Sequence, residues 1–219
     1  MSEEITVPKI QHLISMLKGY YTEHGYRWDE ENIILIRGTK DYYTNKFLCF
    51  MALASDSDIL VLRATTVPGP FWTPENRKRF GVTEEILCLG YVQNAYRVGN
   101  HTGHPEGFAM VQAADFPAWR DNNRNSIQDA GETTFTVRVG AGDNIHTQKP
   151  GDTDDRVDFA SAACQVAKDR VEFLGRFMPR IRATQKFQTL GTGARFDRLL
   201  TQFDEFPFFE QFKELIIGI

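Results

Sequence analysis

Cys164 and His146 are the two residues whose types and surroundings could do covalent chemistry together. Cys164 follows three small residues, Ser161-Ala162-Ala163, which leave room for a substrate to approach. His146 lies upstream, in Asn144-Ile145-His146, across a loop (149–155) rich in Pro, Gly and Asp that can turn the chain back on itself. A thiol attacks as its thiolate and is mostly protonated near neutral pH, so it needs a base. An imidazole can supply one. The periodicity predicts a helix over 159–177, whose first N–H groups would stabilise the sulfur anion or an oxyanion. The chemistry implied is acyl transfer through a covalent thioester.

The other two cysteines read differently. Cys49 in Phe47-Leu-Cys-Phe-Met51 and Cys88 in Ile86-Leu-Cys-Leu89 lie in apolar runs, where cysteine acts as a small core residue. Three cysteines without regular spacing are no disulfide framework. His101 and His104 stand in Gly99-Asn-His-Thr-Gly-His104. Their spacing leaves three readings open: a polar loop, part of a metal site, or a loop lining a substrate cleft. No full zinc ligand pattern accompanies them, so the expectation is no metal and no cofactor. Gln112 and Arg120 are further candidates for contact with substrate. The Asp/Asn-rich run from Asp121 lacks the glycine of a calcium loop and reads as a turn.

These residues must be positioned by the segments around them. Ile10, Leu13, Ile14 and Leu17 form a helical stripe over 7–25, ended by Gly25. Apolar or alternating runs at 32–37, 46–53, 59–65, 85–95, 107–113, 117–120 and 133–139 predict strands, punctuated by Asp, Ser, Pro and Gly. The tail from Arg182 is rich in Phe and Leu and reads as two short helices broken near Pro207, too apolar to be a free linker and a possible docking surface. The fold expected is mainly β with helical additions: an N-terminal helical segment (1–30), an antiparallel sandwich or barrel-like core (31–180) and a C-terminal helical extension (181–219). With 25% charged residues and a net charge of −4, the chain lacks the basic excess of a nucleic-acid binder. No apolar run is long enough to span a membrane. The N-terminal Met-Ser-Glu-Glu has acids where a secretory signal is basic.

The segment 137–166 resembles the active-site signature of the YkuD-type L,D-transpeptidases. In that family a His is followed, after fourteen to seventeen residues, by Ser or Thr, His, Gly and Cys. Here His146, a gap of fourteen residues, Ser161 and Cys164 fall in that register. Ala162 stands at the family's second His and Ala163 at its Gly; Gln165 and Val166 also depart from the pattern. The resemblance implies an L,D-transpeptidase-type core over 31–180. It implies Cys164 as nucleophile, His146 as general base, Ser161 beside the oxyanion site, and the Thr147 carbonyl orienting the imidazole. Ala163, His101, His104, Gln112 and Arg120 become candidate substrate contacts. The implied substrates are peptidoglycan stem peptides, with transpeptidase, carboxypeptidase or endopeptidase outcome. The expected site of action is the bacterial cell wall or periplasm, reached without a secretory signal. The alternative is a non-catalytic wall-binding module, or a structural part of a phage or secretion particle.

Overall fold

The computed structural model describes residues 7–38, 45–72, 74–80, 85–101, 108–123, 128–151 and 155–217. Helix α1 (Val7–Glu23) is followed by strands β1 (Asn32–Arg37), β2 (Cys49–Ala54) and β3 (Ile59–Thr65) and a short helix α2 (Pro74–Phe80). Strands β4 (Ile86–Leu87), β5 (Gly90–Asn100), β6 (Phe108–Gln112), β7 (Phe116–Trp119), β8 (Phe135–Val137), β9 (Ile145–Thr147) and β10 (Gln165–Ala167) come next. The helical stretch α3 (Arg170–Glu172) runs through a π turn, Phe173–Phe177, into α4 (Met178–Ala183) and α5 (Gln185–Leu190); β11 (Phe196–Gln202) and α6 (Phe209–Ile217) complete the order.

Eight strands close into a barrel in the order β1-β11-β5-β6-β9-β10-β3-β2, and β4, β7 and β8 form a separate three-stranded sheet. The β-rich class expected from the sequence is present. The pairing is mixed rather than purely antiparallel: β1 runs parallel to β11, and β9 parallel to β10.

Alternation along the strands sorts residues between two cores. Ile33, Leu35, Met51, Leu53, Leu60 and Leu62 point into the barrel. Ile34, Ile36, Ala52, Ile59 and Val61 point outward and are covered by Leu13, Ile14, Leu17 and Tyr21 of α1 and by Phe208, Phe209 and Phe212 around α6. Burial on both faces explains why β1 reads as an unbroken apolar run. Helix α1 ends where expected: Gly25 takes a positive φ of 67°, and Tyr26 N–H closes the end on Tyr21 O at 2.8 Å. Phe173, Phe177, Met178 and Ile181 join the core inside the barrel. Arg180 anchors this helical segment through a double ion pair to Glu31, both partners being largely buried.

Two helical expectations are corrected. Residues 159–167 are not helical: Gln165–Ala167 is a strand, held between β3 and β9, and the helix starts only at Arg170. Small residues in Ser-Ala-Ala suit a helix in isolation, but the ladder on both sides takes the backbone groups of Gln165–Ala167. Residues 196–202, taken as part of a helical tail, form β11, which pairs with β1 and β5. Phe196 and Leu200 point into the barrel and Leu199 out to the α1 layer, the alternation a helix reading missed. The helical parts of this tail are α5, before β11, and α6, after Pro207.

The C-terminal segment is therefore joined to the barrel by a strand. Removing residues 182–219 would leave β1 and β5 without their shared neighbour. Such a chain should lose cooperative urea unfolding and near-ultraviolet circular dichroism. A truncated chain that unfolds as cooperatively as the full one would contradict this placement of β11.

Candidate active site

The site is built on the parallel pair β9–β10. Register places Val166 beside His146, and the period of two puts Cys164 on the same face as Val166. Ile145 and Ala167 point the other way, into the barrel core, while Cys164 and Val166 pack with Phe47 and Val157 outside it. The parallel pairing brings His146 back beside Cys164, as expected; residues 152–154 of the connection lie outside the described residues. Cys164 is not at a helix N-terminus, so a helix dipole is no part of its environment.

His101, His146 and Cys164 converge: one nitrogen of each ring and the sulfur lie within 4.8 Å of one another. His146 Nδ1 is 2.8 Å from the Thr147 carbonyl. A carbonyl only accepts, so Nδ1 carries the proton and Nε2 keeps the basic lone pair. The His101 ring stacks on the His146 ring, with centroids 4.2 Å apart and planes at 12°. The Cys164 thiol donates to Gly142 O at 3.1 Å.

These residues open onto a cleft of about 530 Å³ lined also by Trp72, Glu85, Asp143, Asn144, Phe159, Ala162 and Ala163. Phe159 and Phe71 are exposed at 52% and 37% and touch edge to face, giving the region an apolar rim. Pro68-Gly69-Pro70 abuts the loop before Cys164. Gly69 N–H donates to Ser161 O at 2.8 Å, and a Cβ there would lie 1.8 Å from Asp158 O, so only glycine fits.

Beneath the thiol sits a buried polar group. Asp143 and Glu85 are almost fully buried side by side. Arg198, inside the barrel, is buried against the face of Phe116 at 4.9 Å. No guanidinium nitrogen of Arg198 makes a hydrogen bond of normal geometry among the described residues; burial disfavours its charge, and the nearby Asp143 carboxyl opposes this. Tyr96 Oη donates to Gln165 Oε1 at 2.5 Å, tying this group to β10. Burial, with the neighbouring Glu85 carboxylate, pushes the Asp143 carboxyl up to about 8 against the opposing pull of Arg198. Burial also pushes the Cys164 thiol up to about 12; Asp143 and Glu85 add to this, while the N–H groups of Asn144 and Cys164 work against it. The resting Cys164 side chain is a neutral thiol rather than a preformed thiolate, so any reaction at its sulfur needs a base to take the proton.

The sequence candidates divide as follows. Cys164, His146, His101 and Ala163 line the cleft. Thr147 offers its carbonyl to the imidazole as the resemblance implied. Ser161 is fully buried and does not line the cleft; its hydroxyl donates to Cys164 O at 2.6 Å and so shapes the loop. Gln112 is buried away from the cleft and bonds to Ala114 O and Val137 O. Arg120 lies outside the lining, over the Phe135 ring and 3.9 Å from Glu85. His104 falls outside the described residues. Cys49 is buried and Cys88 half-buried, both away from the cleft. Sequence reasoning missed Glu85, Asp143, Trp72 and Phe159. Asp143 adjoins the motif segment and could have been found there; Glu85 carries no local signal.

The three convergent donors suit proton transfer better than metal chelation as they stand. Stacked, nearly parallel rings aim their in-plane lone pairs side by side and not at one point. No protein-family model matches the sequence, and no curated protein matches it.

The carboxyl pair gives a stability prediction. The unfolded chain ionises Asp143 above an ordinary value of 3.8, whereas the folded chain keeps it neutral up to about 8. Folding takes up a proton in that interval, so this group's stabilisation is complete at low pH and is lost as pH rises towards about 8. Asp143→Asn should flatten the fall in melting temperature between these limits. An unchanged slope would show that Asp143 is ionised in the folded protein.

Proposed function

We propose that this protein is a cysteine-dependent acyl-transfer enzyme of L,D-transpeptidase type, acting on peptide bonds of peptidoglycan stem peptides. The observation that carries the reading is the convergence of Cys164 with an imidazole whose Nδ1–H is fixed on the Thr147 carbonyl, at the floor of an open cleft. The residues that match the family's signature, His146, Ser161 and Cys164, supply the substrate class.

In this reading the Cys164 sulfur attacks an amide carbonyl as its proton passes to His146 Nε2. The S–C bond forms, the carbonyl becomes an oxyanion, and the imidazolium returns the proton to the departing amine as the C–N bond breaks. The thioester is then taken by an amine, giving transpeptidation, or by water, giving carboxypeptidase or endopeptidase activity. A neutral resting thiol fits a general base acting during attack. The apolar rim of Phe71 and Phe159 and the small residues Ala162 and Ala163 leave the approach to sulfur open. The wall of the bacterial cell is the corresponding place of action.

A binding module that keeps the fold without catalysis is the rival reading, and the substitutions at Ala162 and Ala163 favour it. Turnover separates the two. On purified peptidoglycan, Cys164→Ala should lower product formation by at least about 10³-fold while leaving the melting temperature within a few degrees. Wild-type turnover by that variant would exclude Cys164 as nucleophile, and inert wild-type protein would favour the binding module.

A further inference from the structure

The active-site pair carries a second imidazole that the two-residue chemistry does not require. His101, next to the end of β5, is stacked face to face on the base His146. Its own orientation is fixed from β6. Gln112 N–H donates to Asn144 Oδ1 at 2.9 Å, which settles the Asn144 amide: its oxygen is taken, so its NH₂ group faces His101. His101 Nδ1, 2.9 Å from that NH₂ group, must therefore be an acceptor, and its ring proton sits on Nε2. Asn144 also couples this arm to the nucleophile. Its backbone carbonyl accepts from Gln165 N–H at 2.8 Å, and its backbone N–H faces the Cys164 sulfur. One residue thus ties β6, β10, the thiol and the second imidazole together.

We propose that His101, locked by Asn144, is a positioning residue: its ring face holds the His146 imidazole in the orientation from which it takes the thiol proton. The inference rests on Cys164 and His146 acting as nucleophile and base. The stack supplies what the Thr147 bond alone cannot. The hydrogen bond at Nδ1 fixes one atom of the ring in its plane, and a parallel ring at van der Waals distance fixes the plane itself. The lock on His101 matters for the same reason. A proton added at Nδ1 would meet the Asn144 N–H head on, so the fixed amide keeps His101 in one tautomer beneath a base that becomes cationic during attack. Proton transfer is sensitive to such placement, since a shift of about 1 Å can cost on the order of 10²-fold in rate.

Alkylation of Cys164 by iodoacetamide, followed by site-resolved mass spectrometry on the full chain, tests this without any assumption about the natural substrate. It needs only the thiol and its base. His101→Ala should slow alkylation of Cys164 by at least about 10-fold, with the melting temperature and the labelling of Cys88 unchanged. His101→Phe, which keeps a ring face and removes both ring nitrogens, should recover most of the lost rate. Nitrogen-15 spectra of the wild-type imidazoles should show His101 Nδ1 unprotonated. A wild-type rate in His101→Ala would overturn the proposal, as would a phenylalanine variant as slow as the alanine one. A protonated His101 Nδ1 would overturn the Asn144 lock.

Discussion

Everything in the site depends on the parallel pairing of β9 with β10. Two three-residue strands have little intrinsic stability, and neither stands out in the sequence. They hold because each is also paired on its other side, β9 to β6 and β10 to β3. Closure of the barrel therefore fixes their register, and the register fixes which side chains meet. A slip of β10 by one residue would turn Cys164 into the barrel core, on the face opposite His146. Bringing the His146 and Cys164 side chains to one face follows from this register, and the Ser161 hydroxyl shapes the turn that leads into Cys164.

The same geometry places an electrostatic constraint on the thiol. Because side chains alternate, the face opposite Cys164 belongs to the barrel interior, where Gln165 meets Tyr96 and Arg198 is enclosed. Asp143 and Glu85 stand between this interior and the cleft. Two carboxyls this close and this buried cannot both ionise at little cost, so a proton is retained between them. Their remaining negative charge and the loss of water around the sulfur keep the thiol protonated. Arg198 limits the effect by compensating one carboxylate. The resting thiol is thus neutral, and in the proposed chemistry the imidazole acts during attack.

The barrel was legible where apolar runs are continuous and strongly β-favouring, as in β1, β2 and β3, because burial on both faces leaves no competing helical stripe. It was illegible where short strands borrow their identity from their neighbours. Ser161-Ala-Ala-Cys-Gln-Val166 has helix-favouring small residues, and only the ladder with His146 and Thr65 makes its end a strand. β11 was hidden for a related reason: Phe196, Leu199 and Leu200 fit either period, and the choice is made by the open slot between β1 and β5. Among the chemical groups, Cys164 and His146 followed from residue type and local spacing, and the Thr147 carbonyl from the resemblance alone. Glu85 could not, since it comes from a segment distant in the chain whose only link to the site is tertiary. His101 was recognised as a candidate but not as a ring stacked on the base, a relation that no spacing encodes. Gln112, expected in the cleft, instead supports it from behind through its backbone N–H to Asn144.

The proposed chemistry rests on one relation: a thiol that burial holds neutral, and an imidazole whose Nδ1 proton lies on the Thr147 carbonyl and whose basic lone pair is therefore on Nε2. The most direct measurement is the rate at which Cys164 reacts with iodoacetamide near neutral pH in the wild type and in His146→Gln. With His146 as base, the substitution should slow the reaction by on the order of 10²-fold, leaving the fold intact by circular dichroism. Equal rates in the two proteins would show that the imidazole does not activate the thiol, and the proposed chemistry would not stand.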